Sequence, residues 1–169
     1  GDDHLKIAII DYVESIDKKR FHYKKVRRMI EDDDGFGVVS TNDIDKEIVV
    51  VPEYVPFPKP EKSYGNTVSY KRSEAKAKRS LILANYKCDL DPSHQSFITK
   101  NGKPYMEAHH LIPLNAQDDF DNSLDVDANI VCLCPNCHRK LHFGEDIHSE
   151  LLKIYTLRKK LLETSGLTI

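Results

Sequence analysis

Apolar positions recur at helical spacing in the N-terminal part of the chain. Leu5, Ile9, Tyr12, Val13 and Ile16 fall on one face of a helix over residues 5–17, with charged residues between them. Phe21, Val26, Met29 and Ile30 form the apolar side of a second helix over residues 20–31. The run Asp32-Asp33-Asp34-Gly35 ends it; the ligand positions an EF-hand loop would need do not follow, so the run reads as an acidic loop. The period then changes, and residues 36–40 and 48–51 predict two short strands joined by polar turn residues. Four prolines within residues 52–60 impose an extended connector. The expected organisation is therefore a helix–helix–hairpin module over 1–60, a boundary near 56–66, and a second domain over 66–169.

The second domain mixes both periods. Residues 71–86 predict a helix with Ala75, Leu81, Ile82 and Tyr86 inward and Arg72, Lys76 and Arg79 outward. Asn101-Gly102 lies between extended segments and signals a hairpin. A short helix carrying CHRKLH is expected within residues 129–143. A last amphipathic helix follows Gly144, with Ile147, Leu151, Ile154, Tyr155, Leu161 and Leu162 inward. The sequence shows no internal repeat and no low-complexity tract. No apolar run approaches the ~20 residues needed to span a bilayer, and no signal-peptide pattern opens the chain. No membrane partner is expected.

With 169 residues, 40% hydrophobic and 31% charged, the chain is long and apolar enough to build a core without disulfides. The formal net charge of −2 hides an asymmetry. Residues 1–60 and 101–169 each carry a net −3, whereas residues 61–100 carry +4. A basic belt between acidic lobes suits a polyanion such as nucleic acid, and a solvated lysine-rich helix face would look the same. Arg20, Lys24, Arg27 and Arg28 on the second helix would let the N-terminal module touch DNA, if it were winged-helix-like. A small structural subdomain is the plainer reading of the same residues. Charge alone does not decide either case.

The cysteines and histidines do more. Three of the four cysteines lie within six residues, a clustering that suits a metal in a reducing compartment better than a disulfide framework. A cytoplasmic location is expected. Cys134-Pro-Asn-Cys137 is a compact thiolate knuckle suited to tetrahedral zinc. The nearest pair to complete it is Cys88 and His94, with Asp91 as the other option for the fourth position. Cys132, between Val131 and Leu133, reads as a small buried hydrophobe. His109 and His110 are adjacent at the end of an extended stretch, and His138 and His142 are four apart on one helix face. Four imidazoles brought together in this way make a divalent-metal site, with one imidazole to spare as a base.

The segment YMEAHHLIPL at 105–114, the run from Asn129 through Cys134-Pro-Asn-Cys137-His138, and then His142 together resemble the HNH endonuclease motif. This is also called the ββα-metal nuclease fold, and the cysteine-bearing form resembles zinc-stapled HNH domains of bacterial restriction-type enzymes. The resemblance covers roughly residues 70–143 and does not extend to the first 60 residues. It implies an α+β fold, a small ββα-metal core with flanking helices and a zinc knuckle; the helix–helix–hairpin pattern before it makes a small α/β N-terminal module. It implies His110 as general base, His109, His138 and His142 as ligands of one catalytic ion (Mg, Mn or Ni), and Asn129 as the residue bracing the loop that holds the base. Cys88, His94, Cys134 and Cys137 would hold one structural zinc. The first knuckle departs from the usual Cys-x-x-Cys, since Asp91 stands where the second cysteine is expected and His94 must replace it.

The chemistry fits the resemblance. Phosphodiester hydrolysis needs an activated water and positive charge on the phosphate. An imidazole with an ordinary pKa near ~6.5 can deprotonate water at neutral pH, and a divalent ion can act as Lewis acid. Glu107, two residues before His109 on the same strand face, is expected to support a ligand imidazole. Arg72, Lys76 and Arg79 are expected to hold backbone phosphates of double-stranded DNA. With one site per chain, cutting both strands favours a homodimer or sequential nicks. Two alternatives share parts of this picture: a zinc-stapled DNA-binding module without catalysis, and a toxin-like DNase domain.

Overall fold

The computed structural model describes residues 38–46, 48–64 and 69–167. The two N-terminal helices, the acidic run and the basic set Arg20, Lys24, Arg27 and Arg28 lie outside the described residues. So does the question of a separate N-terminal module.

In chain order, a short 3-10 turn at Thr41–Asp43 is followed by a two-stranded hairpin of β1 (Lys62–Ser63) and β2 (Ser69–Tyr70). Helix α1 (Glu74–Leu83) leads into the central hairpin of β3 (Glu107–His110) and β4 (Ile130–Leu133). Helices α2 (Pro135–Phe143) and α3 (His148–Thr164) complete the described chain.

β3 and β4 pair antiparallel with Glu107 opposite Leu133 and His110 opposite Ile130. All four residues of β4 are buried, which is why this strand reads as the unbroken apolar run Ile-Val-Cys-Leu rather than as an alternation. The helix expected within 129–143 therefore begins only at Pro135; the residues before it are a strand. The switch falls at Cys134, where Sγ accepts the Cys137 amide at 3.4 Å as an N-cap and Pro135 fits the first helical position. α3 covers the core with Leu151, Ile154, Tyr155 and Leu162, and Tyr155 donates its hydroxyl to the Leu111 carbonyl at 2.8 Å. It closes at Gly166, whose φ of +71° and 3.0 Å carbonyl contact with Asn122 leave no room for a Cβ.

One expectation is corrected here. Residues 48–51 form no strand: Ile48, Val49 and Val51 are exposed, and Val49 is 98% exposed. The partner expected to pair with them is instead used by the core. Ser40 bridges to Glu107, Val39 accepts the Ala108 amide at 2.9 Å, and Thr41 exchanges backbone and hydroxyl bonds with Met106. The β3–β4 edge is thus covered, as an unpaired edge must be. The proline-rich segment runs across the same core, with Tyr54 and Phe57 packed on it, Glu53 N–H bonded to Asp127 at 2.9 Å and Ser123 N–H to the Phe57 carbonyl at 2.9 Å. Within the described residues it is a strap packed on the core.

α1 and the turn after it place Leu81, Ile82 and Tyr86 on the core as expected, and the departure is at Ala75. Ala77, Ser80 and Leu81 are its buried residues, while Ala75 is exposed. Alternation of alanine and lysine over 75–78 offers two nearly equivalent faces. The carboxylates of the loop before β4 select between them, because they capture Arg79 and the backbone amide of Ser73.

Candidate metal centres and active site

Adjacent residues on an extended strand face opposite sides, and β3 uses this to separate its two histidines. His109 meets His138 and His142 from α2, and the potential ligand atoms of the three lie within 4.8 Å of one another. All three are buried. His138 Nε2 and His142 Nε2 are 3.0 Å apart, which the i, i+4 spacing on α2 makes natural. His109 Nε2 is buried without a hydrogen-bond partner. Burial first, and then the neighbouring imidazoles, hold the His109 pKa well below its ordinary value. The neutral imidazole this enforces is the metal-binding form. An orphaned nitrogen facing two other imidazoles fits a divalent cation, which would satisfy all three.

Glu107 meets the expectation raised for it. Its Oε2 lies 2.7 Å from His138 Nδ1, and Tyr105 donates its hydroxyl to Oε1 at 2.9 Å. Burial alone would raise the Glu107 pKa; the bonds from His138 and Tyr105 outweigh it and leave the carboxyl below its usual range. With a carboxylate on Nδ1, His138 carries its proton there and turns the Nε2 lone pair to the cluster.

His110 stands outside this trio. Its Nε2 is 2.9 Å from Asp125 Oδ1, and both residues are buried. Asn129 lies at the foot of β4 and is fully buried. Its Oδ1 accepts the Ile112 amide at 2.8 Å, and its Nδ2 donates to the carbonyls of Ile112 and Leu124 at 2.9 and 2.8 Å. It thereby clamps the chain just beyond His110 to the loop before β4. Asn129→Ala should cost about 3 kcal/mol or more, because several buried backbone groups lose their partners at roughly 1–3 kcal/mol each. Asn129→Asp should not restore it, since a carboxylate cannot donate to the two carbonyls. Urea titration of the three proteins measures this; an alanine variant with the wild-type midpoint would refute the clamp.

The second cluster gathers Cys88, His94, Cys134 and Cys137, again with ligand atoms within 4.8 Å. His94 Nδ1 faces Cys137 Sγ at 3.2 Å and Cys134 Sγ at 3.7 Å, while its Nε2 faces Asp91 at 3.4 Å. Of the two residues left open for the fourth position, His94 reaches the sulfurs and Asp91 backs it. The set of three thiols and one imidazole is compatible with zinc. Burial raises the pKa of Cys134 and Cys137, so without a cation they are thiols; the α2 N-terminus they occupy favours the thiolates a cation would need. Cys132 is fully buried in β4 and outside the cluster.

The basic set fares differently. Arg72 is exposed, as expected for a phosphate contact. Arg79 is not turned outward: its guanidinium binds Asp127 at 2.8 and 3.2 Å and the Val51 carbonyl at 2.6 Å, and Asp127 is buried. Lys76 donates to the Asp125 carbonyl at 2.8 Å, with its ammonium 4.4 Å from the centre of the Phe57 ring. Both cations are spent within the fold. Sequence reasoning placed no role on Asp125 or Asp127, which sit in a turn-like acidic run with no helical or strand periodicity to aim them.

Residues 94–144 match the HNH endonuclease family. Over 68 residues the chain is 35% identical to the type IV methyl-directed restriction enzyme EcoKMcrA of Escherichia coli (strain K12), covering 40% of this chain and 23% of that protein. A solved structure, that of the type IV phosphorothioation-dependent restriction endonuclease ScoMcrA, is similar over 57% of this chain and 18% of that one, at 25% identity and a TM-score of 0.43. The chain thus spans under a quarter of either relative. The segment that matches the HNH endonuclease family contains both histidine pairs, Asn129, His94 and the Cys134–Cys137 knuckle.

Proposed function

We propose that this chain is a metal-dependent endonuclease that hydrolyses phosphodiester bonds of double-stranded DNA in a restriction role. The observation that carries the reading is the meeting of three buried imidazoles around His109 Nε2, which has no hydrogen-bond partner among the described residues, with His110, the next residue on β3, held on its own carboxylate. A non-catalytic zinc module has no use for the histidine cluster in addition to the cysteines. The restriction role is supported by the relative EcoKMcrA, named as a type IV methyl-directed restriction enzyme.

In this reading His109, His138 and His142 would hold one divalent ion, and Cys88, His94, Cys134 and Cys137 one zinc. The ion at the histidines supplies positive charge to the scissile phosphate and the leaving oxygen when bound. His110 takes the proton from the attacking water. Glu107 keeps His138 turned inward, and Asn129 fixes the backbone that follows the base. Arg72 contributes phosphate affinity, which should weaken as salt is raised. With one site per chain, cutting both strands calls for two copies, and a homodimer is proposed.

The test is a nicking assay with unmodified and methylated supercoiled plasmid, after EDTA treatment and with Mg²⁺, Mn²⁺ or Ni²⁺ restored. Conversion to nicked or linear DNA only when an ion is returned is the expected result. Cleavage that survives EDTA, or none with any ion on either plasmid, would overturn the proposal.

A further inference from the structure

Asp125 is a buried carboxylate that neither metal cluster uses. It is held from several sides. Oδ1 lies 2.9 Å from His110 Nε2, and Oδ2 accepts the backbone amide of Ser73, the N-cap of α1, at 2.6 Å. Its carbonyl takes the Lys76 ammonium at 2.8 Å, and its own amide donates to Ser123 Oγ at 3.1 Å. A side chain fixed in this way is an oriented acceptor.

We propose that Asp125 is a positioning residue that locks His110 in the Nε2–H tautomer and so leaves the Nδ1 lone pair for the reacting proton. This rests on His110 being the base, as argued under the proposed function. An ionised carboxylate only accepts hydrogen bonds, so the imidazole nitrogen facing it must carry the hydrogen. A neutral imidazole has one N–H, which makes Nδ1 the basic nitrogen. The choice of aspartate over asparagine follows from the two donors that converge on it. A carboxylate accepts from both the Ser73 amide and His110 Nε2–H, whereas an amide has one accepting end and opposes one of them with its own N–H. The same contact ties the start of α1 to the base, which explains why Lys76 is anchored beside it rather than offered to DNA.

Two measurements test this. Long-range ¹H–¹⁵N correlation spectra of the imidazoles, in protein carrying only diamagnetic ions, report the tautomer without reference to cleavage. His110 should be Nε2–H in the wild type and a mixture of tautomers in Asp125→Asn. In cleavage assays Asp125→Asn should lower kcat about 10- to 100-fold with KM for DNA unchanged. The double variant with His110→Ala should retain the same residual rate as His110→Ala alone, because Asp125 acts only through that imidazole. A wild-type His110 in the Nδ1–H form would overturn the inference even if the variant failed to fold. So would an undiminished kcat in Asp125→Asn, or a double variant slowed by the product of the two single effects. A wild type that cuts no DNA overturns the nuclease reading instead, and the tautomer spectrum then decides alone whether Asp125 positions His110.

Discussion

His110→Ala should lower the rate of DNA cleavage by about 10²- to 10⁴-fold, the usual contribution of a positioned general base. The structure explains why the loss should be chemical rather than structural. His110 donates no side chain to the histidine trio, whose ligand atoms come from His109, His138 and His142. Metal content at that site should therefore survive. The fold loses one hydrogen bond to Asp125 and leaves that carboxylate with the Ser73 amide on its other oxygen. A stability cost of about 1–3 kcal/mol is expected from the partly unpaired buried group, too little to unfold the chain at assay temperature. His138→Ala makes the contrasting case: it removes one of three imidazoles and strands Glu107 without its 2.7 Å partner, so metal affinity should fall with activity. Plasmid nicking, metal analysis and circular dichroism on both variants separate the two. Wild-type cleavage by a folded, metal-loaded His110→Ala protein would remove His110 from the chemistry.

The parts of this site written in local sequence were legible. His138 and His142 are four residues apart on a helix, and Cys134-Pro-Asn-Cys137 carries its own N-cap and helix start, so spacing alone brings each pair together. Glu107 was reachable by strand alternation from His109. Long-range choices were not legible. Nothing near Arg79 in sequence signals that Asp127, 48 residues later, will bind it; its outward placement is what periodicity alone gives. Asp125 is likewise remote from its partners, 52 residues after Ser73 and 15 after His110. The hairpin expected over 36–51 failed for a related reason: strand propensity in Ile48, Val49 and Val51 has no pleated surface to fit, because the edge of β3 is already taken by residues 39–41. Tertiary competition decides what a short apolar run becomes.

Removal of the ion expected among Cys88, His94, Cys134 and Cys137 should produce the larger loss of stability. These four side chains join three separate stretches of chain: the segment leaving α1, the loop at His94, and the start of α2. Without a cation the thiols are protonated, and the cluster offers only weak sulfur contacts such as Cys137 to His94 at 3.2 Å. With zinc, the apparent binding energy of structural sites reaches about 10–16 kcal/mol in small metallo-domains, all of it available to the fold. Even a third of that, at the few degrees per kcal/mol typical of a chain this size, should move the melting midpoint by about 10 °C or more. Cys137→Ser and His94→Ala should each lose the bound zinc and show this drop. Asp91→Asn should keep the zinc, because Asp91 meets only the far nitrogen of His94. Cys132→Ala should keep it too, at the modest cost of about 1 kcal/mol for a small buried cavity, since Cys132 faces the core and not the cluster. Cleavage should fall along with the zinc even when Mg²⁺ or Mn²⁺ is supplied, because His138 follows Cys137 directly on α2 and its imidazole is aimed by the same helix start. Zinc retained in Cys137→Ser, or a zinc-free protein melting with the wild type, would show that the knuckle is not what holds α2 in place.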